Sequence, residues 1–130
     1  MILDSSAIVA VLRSEPEAPE FAKAIEAAPS RRTSAVSYVE AALVIDRSQD
    51  AVASRRFDDF FRVSGIAVET VTARQAEIAR HAYRDFGKGR HKAGLSFGDC
   101  FAYALAKELD EPLLFKGNVF RDTDVEVAEI

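Results

Sequence analysis

MILDSSAIVAVL, residues 1–12, is the stretch on which the fold turns. Met1, Ile2 and Leu3 make an apolar run suited to a short buried strand. Asp4 follows at once. Ala7, Ile8, Val11 and Leu12 then share one helical face, so a helix is expected from about Ser6. A strand that ends in an acid and runs straight into a helix is the kind of unit from which helix-covered sheets are built.

The same alternation continues down the chain. Phe21, Ala24, Ile25 and Ala28 mark a second amphipathic helix, which Pro29 ends. RRTSAV, residues 31–36, is a weak strand signal. Tyr38, Ala41, Ala42 and Ile45 repeat the helical spacing, and Phe57, Phe60 and Phe61 mark another helix with Gly65 as its C-cap. Residues 66–71 read as a strand. Thr72 with Gln75 resembles a capping box opening the next helix, and Gly87 stops it. A helix is expected from about Ser96, then strands at residues 112–115 and 125–128. Strands alternating with helices predict an α/β fold, with a short parallel sheet flanked by helices.

The chain has 130 residues, 48% of them apolar and 29% charged, which fits a single globular domain over 1–130. No apolar run approaches the length of a membrane span. The first residues lack a basic start, which argues against a secretory signal. Cys100 is the only cysteine, so no internal disulfide forms, and a reducing cytoplasm is the expected compartment. A net charge of −4 argues against a strongly basic nucleic-acid wrapper. The basic residues are nevertheless clustered. Between residues 80 and 92, Arg80, Arg84, Lys88, Arg90 and Lys92 face a single acid, Asp85, and His81 and His91 lie in the same segment.

Three acids sit at strand–helix joints. Asp4 follows the first strand, Glu40 falls in the first turn of the helix after the weak strand, and Asp99 falls in the first turn of LSFGDCFAYALAKEL, residues 95–109. In a parallel sheet, ligands bind beyond the carboxyl ends of the strands. Converging carboxylates repel, and a hard divalent cation such as Mg²⁺ or Mn²⁺ relieves that repulsion. A structural reading stands beside this one. Ser37-x-x-Glu40 and Ser96-x-x-Asp99 both fit the capping-box pattern, and Asp4 suits an N-cap. Ala102 and Ala106 share the Asp99 face and permit close approach of another backbone, or simply mark an alanine-rich helix.

Other reactive residues carry less. Cys100 lacks a paired base and reads as a buried, inert thiol. The two histidines suit a surface better than a metal site, and Tyr38, Tyr83 and Tyr103 read as packing residues. A phosphatase of the haloacid-dehalogenase type needs a second Asp two residues after the first, where this chain has Ser6.

MILDSSAIVAVLRSEPE, TSAVSYVEAALVI, FGKGRHKAGLSFGDCFAYALAKEL and PLLFKGNVF together resemble the PIN-domain ribonucleases, and within them the VapC toxins of bacterial toxin–antitoxin pairs. The resemblance spans nearly the whole chain, with least signal at residues 49–70. It implies a PIN-like three-layer sandwich and Mg²⁺- or Mn²⁺-dependent endoribonuclease activity. Carried over by motif, Asp4 and Asp99 are metal ligands. Glu40 binds metal directly or through water, or orients the attacking water, and Ser6 supports the first acid. Many family members carry a further acid after the strand matching residues 112–115. Here that segment reads Lys116-Gly117-Asn118-Val119, leaving Asn118, Asp122 and Asp124 as substitutes. The resemblance also implies an RNA substrate, transfer or ribosomal, met by Arg84, Lys88, Arg90 and Lys92, with Lys116 a weaker candidate and Gly87 and Gly89 loosening the loop. It implies a VapB-like antitoxin whose basic side chain enters the acidic cleft, and a homodimer, for which exposed apolar residues on the first helices would serve. The missing acid keeps one alternative open, a catalytically weak PIN-like module that only binds RNA or protein.

Overall fold

The computed structural model describes all 130 residues. Four strands, β1 (Ile2–Leu3), β2 (Arg32–Ser34), β3 (Ala67–Glu69) and β4 (Leu113–Leu114), form one sheet in the order β3-β2-β1-β4. Every pairing is parallel, with Ile2 opposite both Arg32 and Leu113. Six helices connect them: α1 (Ser5–Leu12), α2 (Ala18–Ala27), α3 (Ala35–Asp46), α4 (Ala51–Ser64), α5 (Ala73–Phe86) and α6 (Phe97–Leu109). The chain adds β2 and β3 on one side of β1, then crosses to add β4 on the other. The carboxyl ends of β1 and β4 therefore flank a topological switch point, where such sheets open a crevice.

Strand alternation builds a core on each face. Ile2 and Leu113 enter one with Ala79 and Ala82 of α5 and Ala102, Leu105 and Ala106 of α6. Leu3 and Leu114 enter the other with Ala7, Ile8, Phe21, Ile25, Ala41, Ile45 and Phe57. The result is the three-layer arrangement expected. The alanines of α5 and α6 let those two helices pack closely.

Local signals place most helix ends. Asp4 caps α1, Asp50 caps α4 and Thr72 caps α5, each accepting backbone N–H bonds. Gly65 ends α4 at φ 61°, a conformation that favours glycine. Gly87 ends α5 for another reason. Its backbone is extended, and a Cβ there would collide with the Tyr83 carbonyl.

Several expectations are corrected. The serine that caps α3 is Ser34, at the end of β2, so Glu40 lies in the second turn and Ser37 forms no capping box with it. The helix begins as soon as the strand ends, three residues before the apparent signal. At Thr72 the box is half formed, because the Gln75 side chain donates to the Thr70 carbonyl instead. Residues 125–128 form no strand. They contribute only a bridge between Leu113 and Val127, because the chain meets the β4 edge for a single residue pair. Tyr83 is not packed away but lies exposed, its hydroxyl donating to the Lys88 carbonyl at 3.3 Å.

Candidate active site

Asp4 stands at the carboxyl end of β1, beside the switch point. It is 3% exposed. Its Oδ2 accepts from the Ser6 N–H at 3.1 Å and the Ser6 hydroxyl at 2.6 Å. The Ser6 oxygen in turn accepts the Lys116 backbone N–H at 3.0 Å, tying the carboxylate to the chain leaving β4. Oδ1 is buried with no hydrogen-bond partner. Burial, joined by the charge of Asp99 and opposed by Ser6, raises the Asp4 pKa to about 6.

Glu40 reaches the same place from α3. Its carboxylate lies against Gly98 in the first turn of α6. Burial, then the charges of Asp4 and Asp99, push its pKa up to about 7, with Ser5 partly offsetting them. Asp99 completes the group. Ser96 accepts its N–H at 3.3 Å, and Asp99 Oδ2 accepts the Ser96 N–H at 2.9 Å. The capping box is thus real, and it fixes the acid that α6 presents to the cleft. Asp4 and Asp99 thus both act as helix caps.

The three acids are electrostatically coupled, yet they do not close into a three-ligand cluster. Asp99 is held by its box, and Glu40 rests against Gly98. The residues fit a hard divalent cation. The donors are all carboxylate oxygens, and the unpartnered Asp4 Oδ1 is a buried acceptor of the kind a cation satisfies.

None of the candidates for a further acid makes a hydrogen bond or ion pair with the trio. Asn118 is exposed at the start of a short 3₁₀ helix, Val119–Asp122, without a side-chain bond to it. Asp122 pairs with Lys92 at 3.6 Å. Asp124 accepts the Tyr103 hydroxyl at 2.5 Å and pairs with Lys107 at 3.3 Å, one and two turns along α6 from Asp99. Neither aspartate is among the charges that perturb Asp4 or Glu40.

The basic loop is hydrogen-bonded to itself and to the chain after it. Gly87 bridges to Leu95, and the Arg90 and His91 N–H groups both donate to the Gly87 carbonyl. His91 Nδ1 accepts the Ala93 N–H at 3.0 Å. The loop is a hydrogen-bonded turn joined to Leu95, next to Ser96, with Gly89 at φ 84°. Arg84 pairs with Asp85 and Lys92 with Asp122, while Lys88 and Arg90 are exposed without an ion-pair partner. Lys116 pairs with Glu15 at 2.9 Å and Glu17 at 3.4 Å. Cys100 is buried, and burial followed by the Asp99 charge raises its pKa to about 11, so the thiol is inert. The residues missed by pattern reading are Ser5 and Gly98, which touch Glu40 only through the tertiary fold.

The family described as PIN domain matches residues 1–126. Ribonuclease VapC28 of Mycobacterium tuberculosis is 51% identical over 129 residues, covering 98% of this chain and 97% of its own. Ribonuclease VapC of Mycolicibacterium smegmatis is 48% identical over 125 residues, covering 96% and 97%. The crystal structure of M. tuberculosis VapC20, a sarcin-ricin loop cleaving toxin, superposes with a TM-score of 0.72 over 98% of both chains at 19% identity. A toxin–antitoxin complex from Klebsiella pneumoniae gives a TM-score of 0.70 at 16% identity, covering 95% of this chain and 92% of that one. At those identities the two structures speak for the fold. Family match and sequence relatives together settle that the chain belongs to the PIN-domain family, among the VapC ribonucleases.

Proposed function

We propose that this chain is a Mg²⁺- or Mn²⁺-dependent endoribonuclease, the toxin of a type II toxin–antitoxin pair. The observation that carries the reading is the coupled trio Asp4, Glu40 and Asp99 at the switch point, with Asp4 Oδ1 buried and unpartnered. Asp4 and Asp99 would hold the ion, and Glu40 would hold it directly or through water. A divalent ion bound there neutralises phosphate charge and lowers the pKa of water. Ser6 fixes Asp4 Oδ2 and leaves Oδ1 for the ion. Glu40, with its pKa near neutrality, positions the attacking water and takes up its proton at a carboxylate oxygen. In-line attack on phosphorus would leave 5′-phosphate and 3′-hydroxyl ends. The test is end-mapping of RNA cut by the purified chain. The reading requires discrete sites with those ends, and cyclic phosphates would point to a different chemistry.

Lys88 and Arg90 are the cations free to meet the RNA backbone, in transfer or ribosomal RNA. Replacing both with alanine is expected to weaken binding evenly across sequences and to flatten the salt dependence by about one to two counterions. Filter binding at several salt concentrations measures this, and an unchanged slope would remove the loop from the interface.

A VapB-like antitoxin is the protein partner. Its basic side chain would pair with the trio and compete with the cation. The chain would also form a homodimer. Val39 and Leu43, one turn apart on α3, are 51% and 55% exposed, and Phe97 at the start of α6 is 73% exposed. Leu43→Asp is expected to convert a dimer to a monomer in light scattering, whereas a monomeric wild type would refute the dimer.

A further inference from the structure

We infer that Gly98 is a positioning residue, whose missing side chain is the seat that holds the Glu40 carboxylate beside Asp99. The inference rests on the nuclease reading and assigns a residue to it. Gly98 is buried at the second position of α6. Its φ is not among the positive ones, which belong to Gly65, Gly89, Gly94 and Gly117. Backbone freedom therefore gives no reason for glycine, and in a helix glycine costs about 0.5–1 kcal/mol relative to alanine. Space gives the reason. A Cβ at position 98 would overlap Glu40 Cδ and both of its carboxylate oxygens.

What the added methyl would strike decides the outcome. Its three nearest atoms all belong to the end of one flexible side chain, and none belongs to backbone. Gly98→Ala is accommodated by swinging Glu40 aside, without moving α3 or α6. The fold survives and the helix gains propensity, while the carboxylate loses its place against the first turn of α6. A merely structural glycine, kept for helix packing, would behave in the opposite way and lose stability first.

The experiment compares wild type, Gly98→Ala, Glu40→Gln, the double variant, and Gly98→Ala combined with Glu40→Asp. Cleavage kinetics, Mn²⁺ affinity by calorimetry and Tm are read for each. Gly98→Ala is expected to lower kcat about 100-fold, as a misplaced group does. Its Mn²⁺ affinity should fall, with Tm unchanged or raised. In the Glu40→Gln background the alanine should cost nothing more. The shorter Glu40→Asp should recover part of the activity in the Gly98→Ala chain, although alone it lowers activity. Wild-type kinetics in Gly98→Ala, losses that multiply with those of Glu40→Gln, or a Tm that falls with activity would each overturn the seat while leaving the nuclease reading intact. If the wild type cuts no RNA, the nuclease reading fails, and the Mn²⁺ affinities still decide the seat. Absence of Mn²⁺ binding as well would overturn both.

Discussion

Asp4→Asn is expected to abolish RNA cleavage and, at pH 8, to make the metal-free chain more stable. The first half follows from the loss of a charged ligand at the centre of the site, an effect of at least about 100-fold. The second follows from burial. The Asp4 pKa rises from 3.8 to about 6 in the folded chain, so the fold binds this proton more tightly than the unfolded chain does. Stability from Asp4 is greatest below pH 3.8, is lost as pH climbs to about 6, and stays lost above that. A shift of this size corresponds to roughly 3 kcal/mol. Asparagine keeps the cap for α1 but weakens the bond from the Ser6 hydroxyl, so a net gain of about 1–2 kcal/mol is expected at pH 8. At pH 4.5, where the native carboxyl is already neutral, the gain should vanish. Thermal melts of both chains across this range check it, and a variant less stable than wild type at pH 8 would contradict the account of the buried charge.

Mn²⁺ or Mg²⁺ should raise Tm strongly at pH 8 and weakly at pH 5.5. A cation needs the carboxylates ionised, and those of Asp4 and Glu40 take up protons at about 6 and about 7. At pH 5.5 the ion must displace protons from both. At pH 8 it meets bare, mutually repelling charge, and at 100 times Kd it would add about 2.7 kcal/mol. That is several degrees, roughly 4 to 8 °C per kcal/mol in the smallest domains and less in larger ones. The rise should disappear in Asp99→Asn. An equal rise at both pH values, retained in that variant, would place the ion elsewhere.

Much of this site was legible before the structure. Asp4 and Asp99 are marked because each stands next to a local signal, a strand end in one case and Ser96-x-x-Asp99 in the other. Such signals span three or four residues, and they hold in the fold. The sequence places Glu40 one turn too early. A serine-rich stretch offers Ser34 and Ser37 as caps, and only pairing of β2 with β1 and β3 shows that the strand ends at Ser34. The partners of Asp124 were not legible, because Tyr103 and Lys107 are distant from it in sequence. Gly98 carries no pattern at all. Its meaning depends on where a side chain from α3 comes to rest.

The most direct test of the central claim is incubation of the purified chain, free of antitoxin, with total RNA from its host. Mn²⁺, Mg²⁺ and EDTA are compared for wild type, Asp4→Asn and Asp99→Asn. The account predicts discrete cuts with either ion, none with EDTA, and none in either variant. Cleavage that survives EDTA or both substitutions would contradict it, and a folded wild type that cuts nothing would leave a PIN-like module that only binds.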